Sequence, residues 1–162
     1  MGDFMKAIAF FGHRNVLNQH EVEKKLKKTL NDVIPSGFSN LLIGCHGDFD
    51  KIALSSCLDY KTNTDPNVKI SIVLSSMSFL NKSEDGLNKV EFYKRIGCET
   101  LFYNIENVYY KNRISFSNKK MIDECDLVIC YVDMKAYKSG AKTAINYAIR
   151  QNKKIINLFT EN

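Results

Sequence analysis

The chain holds no tryptophan and only two prolines, Pro35 and Pro66, in 162 residues. It has no proline-, glycine- or serine-rich stretch, internal repeat or biased tract, so nothing marks a linker, and one domain over 1–162 is expected. No apolar run approaches the roughly 20 residues that a membrane-spanning helix needs. The longest, Ala7–Phe11 and Leu127–Val132, are strand-sized. The opening Met1–Lys6 carries an acid where a signal peptide wants bases, and its apolar run is too short for a signal core. Five cysteines, Cys45, Cys57, Cys98, Cys125 and Cys130, form no C-x-x-C pair and mostly sit in apolar segments. An odd count of this kind points to reduced thiols and a cytoplasmic setting, with no membrane partner.

What is present is ordinary for a globular protein: 44% hydrophobic and 25% charged residues. A domain of this size buries roughly 68–70% of its unfolded surface and needs no staple. Lys plus Arg number 23 against 18 Asp plus Glu, a net +5. That mild excess suits an anionic small ligand, weak nucleic-acid contact or no charged partner at all. The bases are not gathered into one tract, so nucleic acid is not the expected partner. Lys24-Lys25 and Lys27-Lys28 come closest, but Glu21 and Glu23 stand one helical turn before Lys25 and Lys27, which reads as a solvated helix face.

Short apolar runs alternate with helical periods. Lys6–Phe11 reads as a buried strand closed by Gly12. Asn18 with Glu21 offers a capping box, and Val22, Leu26, Leu30 and Val33 mark one helix face up to Pro35-Ser36-Gly37. Phe38–Ile43 is a second strand. Phe49, Ile52, Ala53, Cys57 and Tyr60 fit a second helix, residues 63–67 a turn, and Val68–Leu74 a third strand. The 76–110 stretch is less patterned, with a helix over Leu87–Ile96 and a short strand over Leu101–Asn104. A helix over Asn118–Cys125, a strand over Leu127–Val132, a helical stripe of Ala141, Ala144, Ile145, Ala148 and Ile149, and a strand over Lys154–Phe159 complete the chain. Continuous apolar strands alternating with helices predict a three-layer Rossmann-like α/β sandwich with a mainly parallel sheet.

In such a sheet, ligands bind beyond the carboxyl ends of the strands. After the first strand comes Gly12-His13-Arg14, where Arg14 offers a donor fork for phosphate or carboxylate, or is plain surface. His13 is open to three readings: ligand contact, general acid or base, and loop residue. After the second strand comes Gly44-Cys45-His46-Gly47-Asp48-Phe49-Asp50. Glycines before a helix leave N–H groups for an anion, and Asp48 is a candidate N-cap. Asp50 has the same option, or accepts from ribose hydroxyls; the plain alternative is a glycine turn with an Asp cap. After the fifth apolar strand, Ser139-Gly140 opens a helix near Lys135, Lys138 and Lys142, either an ordinary Ser cap or a third anion-facing loop. The three histidines, His13, His20 and His46, lack metal spacing, and no P-loop or G-x-S-x-G elbow occurs. No metal and no cofactor is expected. Cys45 beside His46 has no evident third partner for a thiol nucleophile.

The segments AFFGHRN (9–15), GCHGDFDKIA (44–53), NKKMIDECDLVICYV (118–132), SGAKTAINYA (139–148) and KKIINL (153–158) resemble the YpsA-like branch of the SLOG superfamily. These are Rossmann-like domains related to the LOG phosphoribohydrolases, and the similarity runs over about residues 5–160. It implies a nucleotide-derived ligand held by Gly12, His13, Arg14, Gly44, Gly47, Asp48, Phe49, Asp50, Asn118, Met121, Ser139 and Gly140. The chain has Tyr109-Tyr110 where relatives often have two prolines and Ser117 where they often have arginine, and it lacks the P-G-G-x-G-T-x-x-E motif of active LOG enzymes. Three functions follow as expectations. The first is binding of an ADP-ribose, NAD-derived or nucleoside phosphate ligand as a sensor or sequestering domain. The second is N-glycosidic hydrolysis or ribosyl transfer, with Asp50 stabilising or attacking the sugar and His13 as acid. The third is a protein-interaction module with a vestigial pocket. Pairing through outer helices makes a homodimer the expected assembly.

Overall fold

A computed structural model describes residues 6–82 and 88–161 of the chain. Six strands, β1 (Lys6–Gly12), β2 (Phe38–Ile43), β3 (Lys69–Val73), β4 (Glu99–Leu101), β5 (Leu127–Tyr131) and β6 (Lys154–Asn157), form one sheet in the order β4-β3-β2-β1-β5-β6. Every pairing is parallel. Among the described residues there are five α-helices: α1 (Gln19–Val33), α2 (Asp48–Asn63), α3 (Lys89–Arg95), α4 (Arg113–Glu124) and α5 (Gly140–Arg150). This is the Rossmann-like three-layer sandwich that the alternating pattern predicts.

Alternation along β1 explains the layers. Ile8 and Phe10 enter one core with Val22, Leu26 and Leu30 of α1 and Phe49, Ile52 and Cys57 of α2. Ala7, Ala9 and Phe11 enter the other with Met121 and Ile122 of α4 and Ala144, Ile145 and Ala148 of α5. Successive side chains of a strand point to opposite faces, so a strand buried on both reads as an unbroken apolar run. From β1 to β4 the chain adds strands in one direction, with helices on the first face; from β5 onward it adds them in the other, with helices on the second. A constant crossover hand requires that change of face when the direction reverses. The reversal puts the switch between β1 and β5, and this locates the site.

Several boundaries differ from the sequence expectation. Asn18 stands at the N-cap of α1, but its side chain makes no cap hydrogen bond, so the expected capping box does not form. Asn18 and Glu21 instead line a cavity. The capping box that does form is Asn88/Glu91 on α3, where Asn88 Oδ1 accepts from Glu91 N–H at 2.8 Å and Glu91 Oε2 accepts from Asn88 N–H at 3.1 Å. The short edge strand is Glu99–Leu101 rather than Leu101–Asn104, because Leu101 closes its pairing with Val73. Helix α4 starts at Arg113, not Asn118, preceded by a single 3₁₀ turn at Tyr110–Asn112. Leu87, the expected start of the third helix, lies outside the described residues.

Phe49, in the first turn of α2, is fully buried and stacks on Tyr131 of β5 with ring centroids 6.3 Å apart. It links helix and sheet directly beneath the switch point. Phe49→Ala is expected to cost ~3–5 kcal/mol, measured as a fall in the urea midpoint without a change of slope.

Candidate functional site

A cavity of about 780 Å³ opens at the carboxyl edge of the sheet, over the β1/β5 switch. It falls in the size range of small-molecule sites, about 300–1,000 Å³. Gly12, His13, Arg14, Gly44, Asp50, Asn118, Met121, Ser139 and Gly140 all lie on its wall. Nine of the residues expected from sequence, drawn from four separate loops and helices, thus meet around one space. Gly47, Asp48 and Phe49 are not on that wall, and each has a structural task instead.

The task of all three is to lock adjacent loops together. Asp48 N–H donates to Arg14 C=O at 2.9 Å, and Phe49 N–H to His13 C=O at 3.4 Å. Asp48 Oδ2 accepts from Val16 N–H at 3.0 Å. Asp48 is therefore not the N-cap of α2; that position belongs to Gly47. The first amides of α2 are spent on carbonyls of the neighbouring loop, so they do not face an anion as expected. Gly47 sits at φ +101°, and a Cβ there would lie 2.5 Å from Arg14 Cα. Gly12 is required for a similar reason, since a Cβ would stand 2.3 Å from the ring of buried Phe49. Positive φ and close approach are what only glycine tolerates.

His13 bridges the two strands at the switch. Its backbone N–H donates to Tyr131 C=O at 3.2 Å. Its ring Nε2 accepts from Asp133 N–H at 2.8 Å. A backbone amide can only donate, so Nε2 carries no proton and the ring is the neutral Nδ1–H form. Burial lowers the His13 pKa in agreement, against the opposing pull of Asp133. His13 is therefore a neutral imidazole with its proton on Nδ1; a general acid would need the second ring proton, which this hydrogen bond excludes.

Asp50 and His46 also lie on the cavity wall. Asp50 Oδ2 accepts from His46 N–H at 2.7 Å, and its Oδ1 makes no hydrogen bond among the described residues. Burial raises the Asp50 pKa to about 7, although the His46 amide and the charge of Arg14 pull it down. His46 Nε2 shares a 2.6 Å hydrogen bond with Ser75 Oγ, just beyond β3. Burial and Arg14 lower its pKa. Cys45 Sγ lies 4.0 Å from His46 Nε2, but burial pushes the thiol to about 12, so no thiolate nucleophile exists here.

Positive charge enters from Arg14 and from Lys25 of α1, both on the wall. Arg14 is exposed, and its side chain makes no hydrogen bond or salt bridge among the described residues. Lys25 Nζ donates to Thr160 Oγ1 at 3.1 Å. Ser139 caps α5 through its Oγ, accepting from Lys142 N–H at 3.1 Å. Gly140 and Ala141, on the wall, start α5, so their amides precede the helical ladder. The N-terminus of α5 borders the cavity, as does that of α1 with Asn18 and Glu21.

Sequence reasoning missed His46, Tyr131, Asp133, Ile114, Lys25 and Phe159, all on the wall. His46 and Asp133 had a positional signal, since each follows a parallel strand; Lys25 read as a solvated face, and Ile114 and Phe159 carry none. Among the described residues no group of three or more His, Cys, Asp or Glu side chains is placed to hold a metal ion. None of their helices is long and apolar enough to cross a membrane. No protein-family model matches the chain, and no curated protein matches it either.

Asp50 makes stability pH-dependent with a definite sign. Its folded pKa, about 7, exceeds the unfolded value near 3.8, so its contribution is fully present below 3.8 and is lost as pH rises through 7. Asp50→Asn keeps an acceptor for His46 N–H and removes the buried charge. The variant is expected to gain melting temperature over wild type at pH 8 and to gain little at pH 4, read by thermal unfolding at both values.

Proposed function

We propose that this chain binds a nucleotide-derived anion of the ADP-ribose, NAD-derived or nucleoside phosphate class, as a sensor or sequestering domain. The observation that carries the reading is the meeting of Arg14, the α5 N-terminus, His13 and Asp50 around one cavity at the switch point of a parallel sheet. Crevices at such switch points are where open α/β sheets bind ligands. The Arg14 fork and the free first amides of α5 suit phosphate oxygens. The Nδ1–H of His13 suits a ribose or phosphate oxygen, and Met121, Ile114 and Tyr131 give an apolar wall for a base. The resemblance of the G-H-R and G-x-x-G-D-F-D segments to the YpsA-like branch of the SLOG superfamily supports the same reading, with cytoplasmic placement.

Isothermal titration against ADP-ribose, NAD, cyclic nucleotides and nucleoside monophosphates tests it. At least one is expected to bind, and Arg14→Ala is expected to weaken it by roughly 10- to 100-fold, the worth of a lost charge-assisted hydrogen bond of about 1.5–3 kcal/mol. No binding across the panel, or full affinity in the variant, removes the proposal.

A second reading, cleavage of an N-glycosidic bond, draws on one observation: Asp50 is a half-buried carboxyl on the cavity wall whose pKa desolvation raises to about 7. A carboxyl so poised can donate a proton to a leaving base or stabilise the developing sugar cation. With Nε2 of His13 engaged, Asp50 would carry the acid role alone. Release of free base from the same panel, abolished in Asp50→Asn, distinguishes turnover from binding. A homodimer through the outer helices belongs to the same proposal, and light scattering after size exclusion checks it.

A further inference from the structure

A carboxyl group on the wall of an anion pocket poses an electrostatic problem. The ligand reading places a negative guest beside Arg14, and Asp50 stands on the same wall. Its Oδ2 is tied to His46 N–H at 2.7 Å, which leaves Oδ1 as the atom free for a guest. Gly44 leaves the space this carboxyl occupies, since a Cβ there would meet Oδ2 at 2.9 Å. An ionised Asp50 would therefore repel the guest at short range in a poorly solvated corner. A protonated Asp50 would instead donate Oδ1–H to it.

We propose, resting on the ligand reading above, that the cavity takes up its anion together with one proton, which comes from solvent onto Asp50 Oδ1 and is shared with an oxygen of the guest. No covalent bond is made or broken, and the protein gains one proton as the ligand enters. The site thereby selects guests whose oxyanion accepts a hydrogen bond from a carboxylic acid, and it binds them less well as the medium becomes alkaline.

The surroundings of Asp50 agree. Arg14 is the cation whose charge reaches it and holds its pKa down. A guest anion engages that same guanidinium, so the stabilisation of the Asp50 carboxylate by Arg14 weakens upon binding. The other groups around it are the neutral thiol of Cys45 and the backbone N–H of His46 from the loop after β2, and Tyr93 from α3, whose Lys89 reaches Cys45 with its charge. Across the cavity stand neutral His13 and the charged Asp133, Glu21 and Lys25. None of these replaces Arg14 as a nearby cation for an ionised Asp50. In the free protein Asp50 titrates near pH 7, so at pH 8 it is mostly ionised and at pH 5.5 already protonated.

The test is isothermal titration of the full chain with ADP-ribose, 3′,5′-cyclic AMP and AMP, in two buffers of different ionisation enthalpy, at pH 5.5 and pH 8. The first two probes bear no phosphate that titrates between these values; AMP is corrected for its own titration. Uptake of nearly one proton per ligand is expected at pH 8 and nearly none at 5.5. Affinity should fall about tenfold per pH unit above neutrality. Asp50→Asn is expected to bind without uptake and with a flat profile from pH 6.5 to 9. Where that variant does not fold, the Asp50 carboxyl resonance of the wild type, followed by carbon NMR with and without ADP-ribose, must show its titration midpoint rising on binding. Binding with no proton uptake, or uptake retained in the variant, overturns this inference and leaves the ligand reading standing. No binding by any probe overturns both.

Discussion

The site depends on a series of hydrogen bonds that tie the strand-end loops to one another. Asp133 N–H reaches His13 Nε2, the Asp48 amide reaches Arg14 C=O, the His46 amide reaches Asp50 Oδ2, and the His46 ring reaches Ser75 Oγ. Loops following β5, β1, β2 and β3 are thus joined in the order in which the strands lie side by side. Each bond also satisfies a polar group withdrawn from water, which would otherwise cost about 1–3 kcal/mol. Rigid spacing between loops is what holds side chains from distant parts of the chain around one cavity.

The same economy decides the chemistry available. Groups engaged in the series are no longer free to react: His13 holds a fixed tautomer and the α2 amides are occupied. What remains directed at the cavity is Arg14, the α5 N-terminus, the Nδ1–H of His13 and one oxygen of Asp50. All but the last are hydrogen-bond donors, and the Asp50 carboxyl donates only when protonated. A carboxyl read from sequence as a ribose acceptor becomes, once its burial is known, a group whose charge depends on what sits beside it.

Much of this was legible in the residues. The order of β1 through β3, both flanking helices and β5 with α5 follow from apolar periodicity, because buried strands and one-sided helices leave distinct patterns. The loops bearing Arg14, Asp50 and Ser139–Gly140 could be located because each follows a predicted parallel strand. The 76–110 region is weakly patterned: β4 is a three-residue edge strand, too short for periodicity to register. The Asn18/Glu21 box does not form because Asn18 stands at φ −102°, ψ 56°, away from the extended backbone that Asn88 adopts at its own cap.

The sequence by itself determined the fold class and which loops border the carboxyl edge, since both depend on local pattern and on the fixed hand of strand crossovers. Only the tertiary structure decided what each side chain there does. Phe49 became core, Asp48 a strut between loops, His13 a neutral donor and Asp50 a carboxyl of near-neutral pKa. Those roles arise from partners far away in the chain, 120 residues in the case of His13 and Asp133, and from loss of solvent, neither of which a linear pattern encodes.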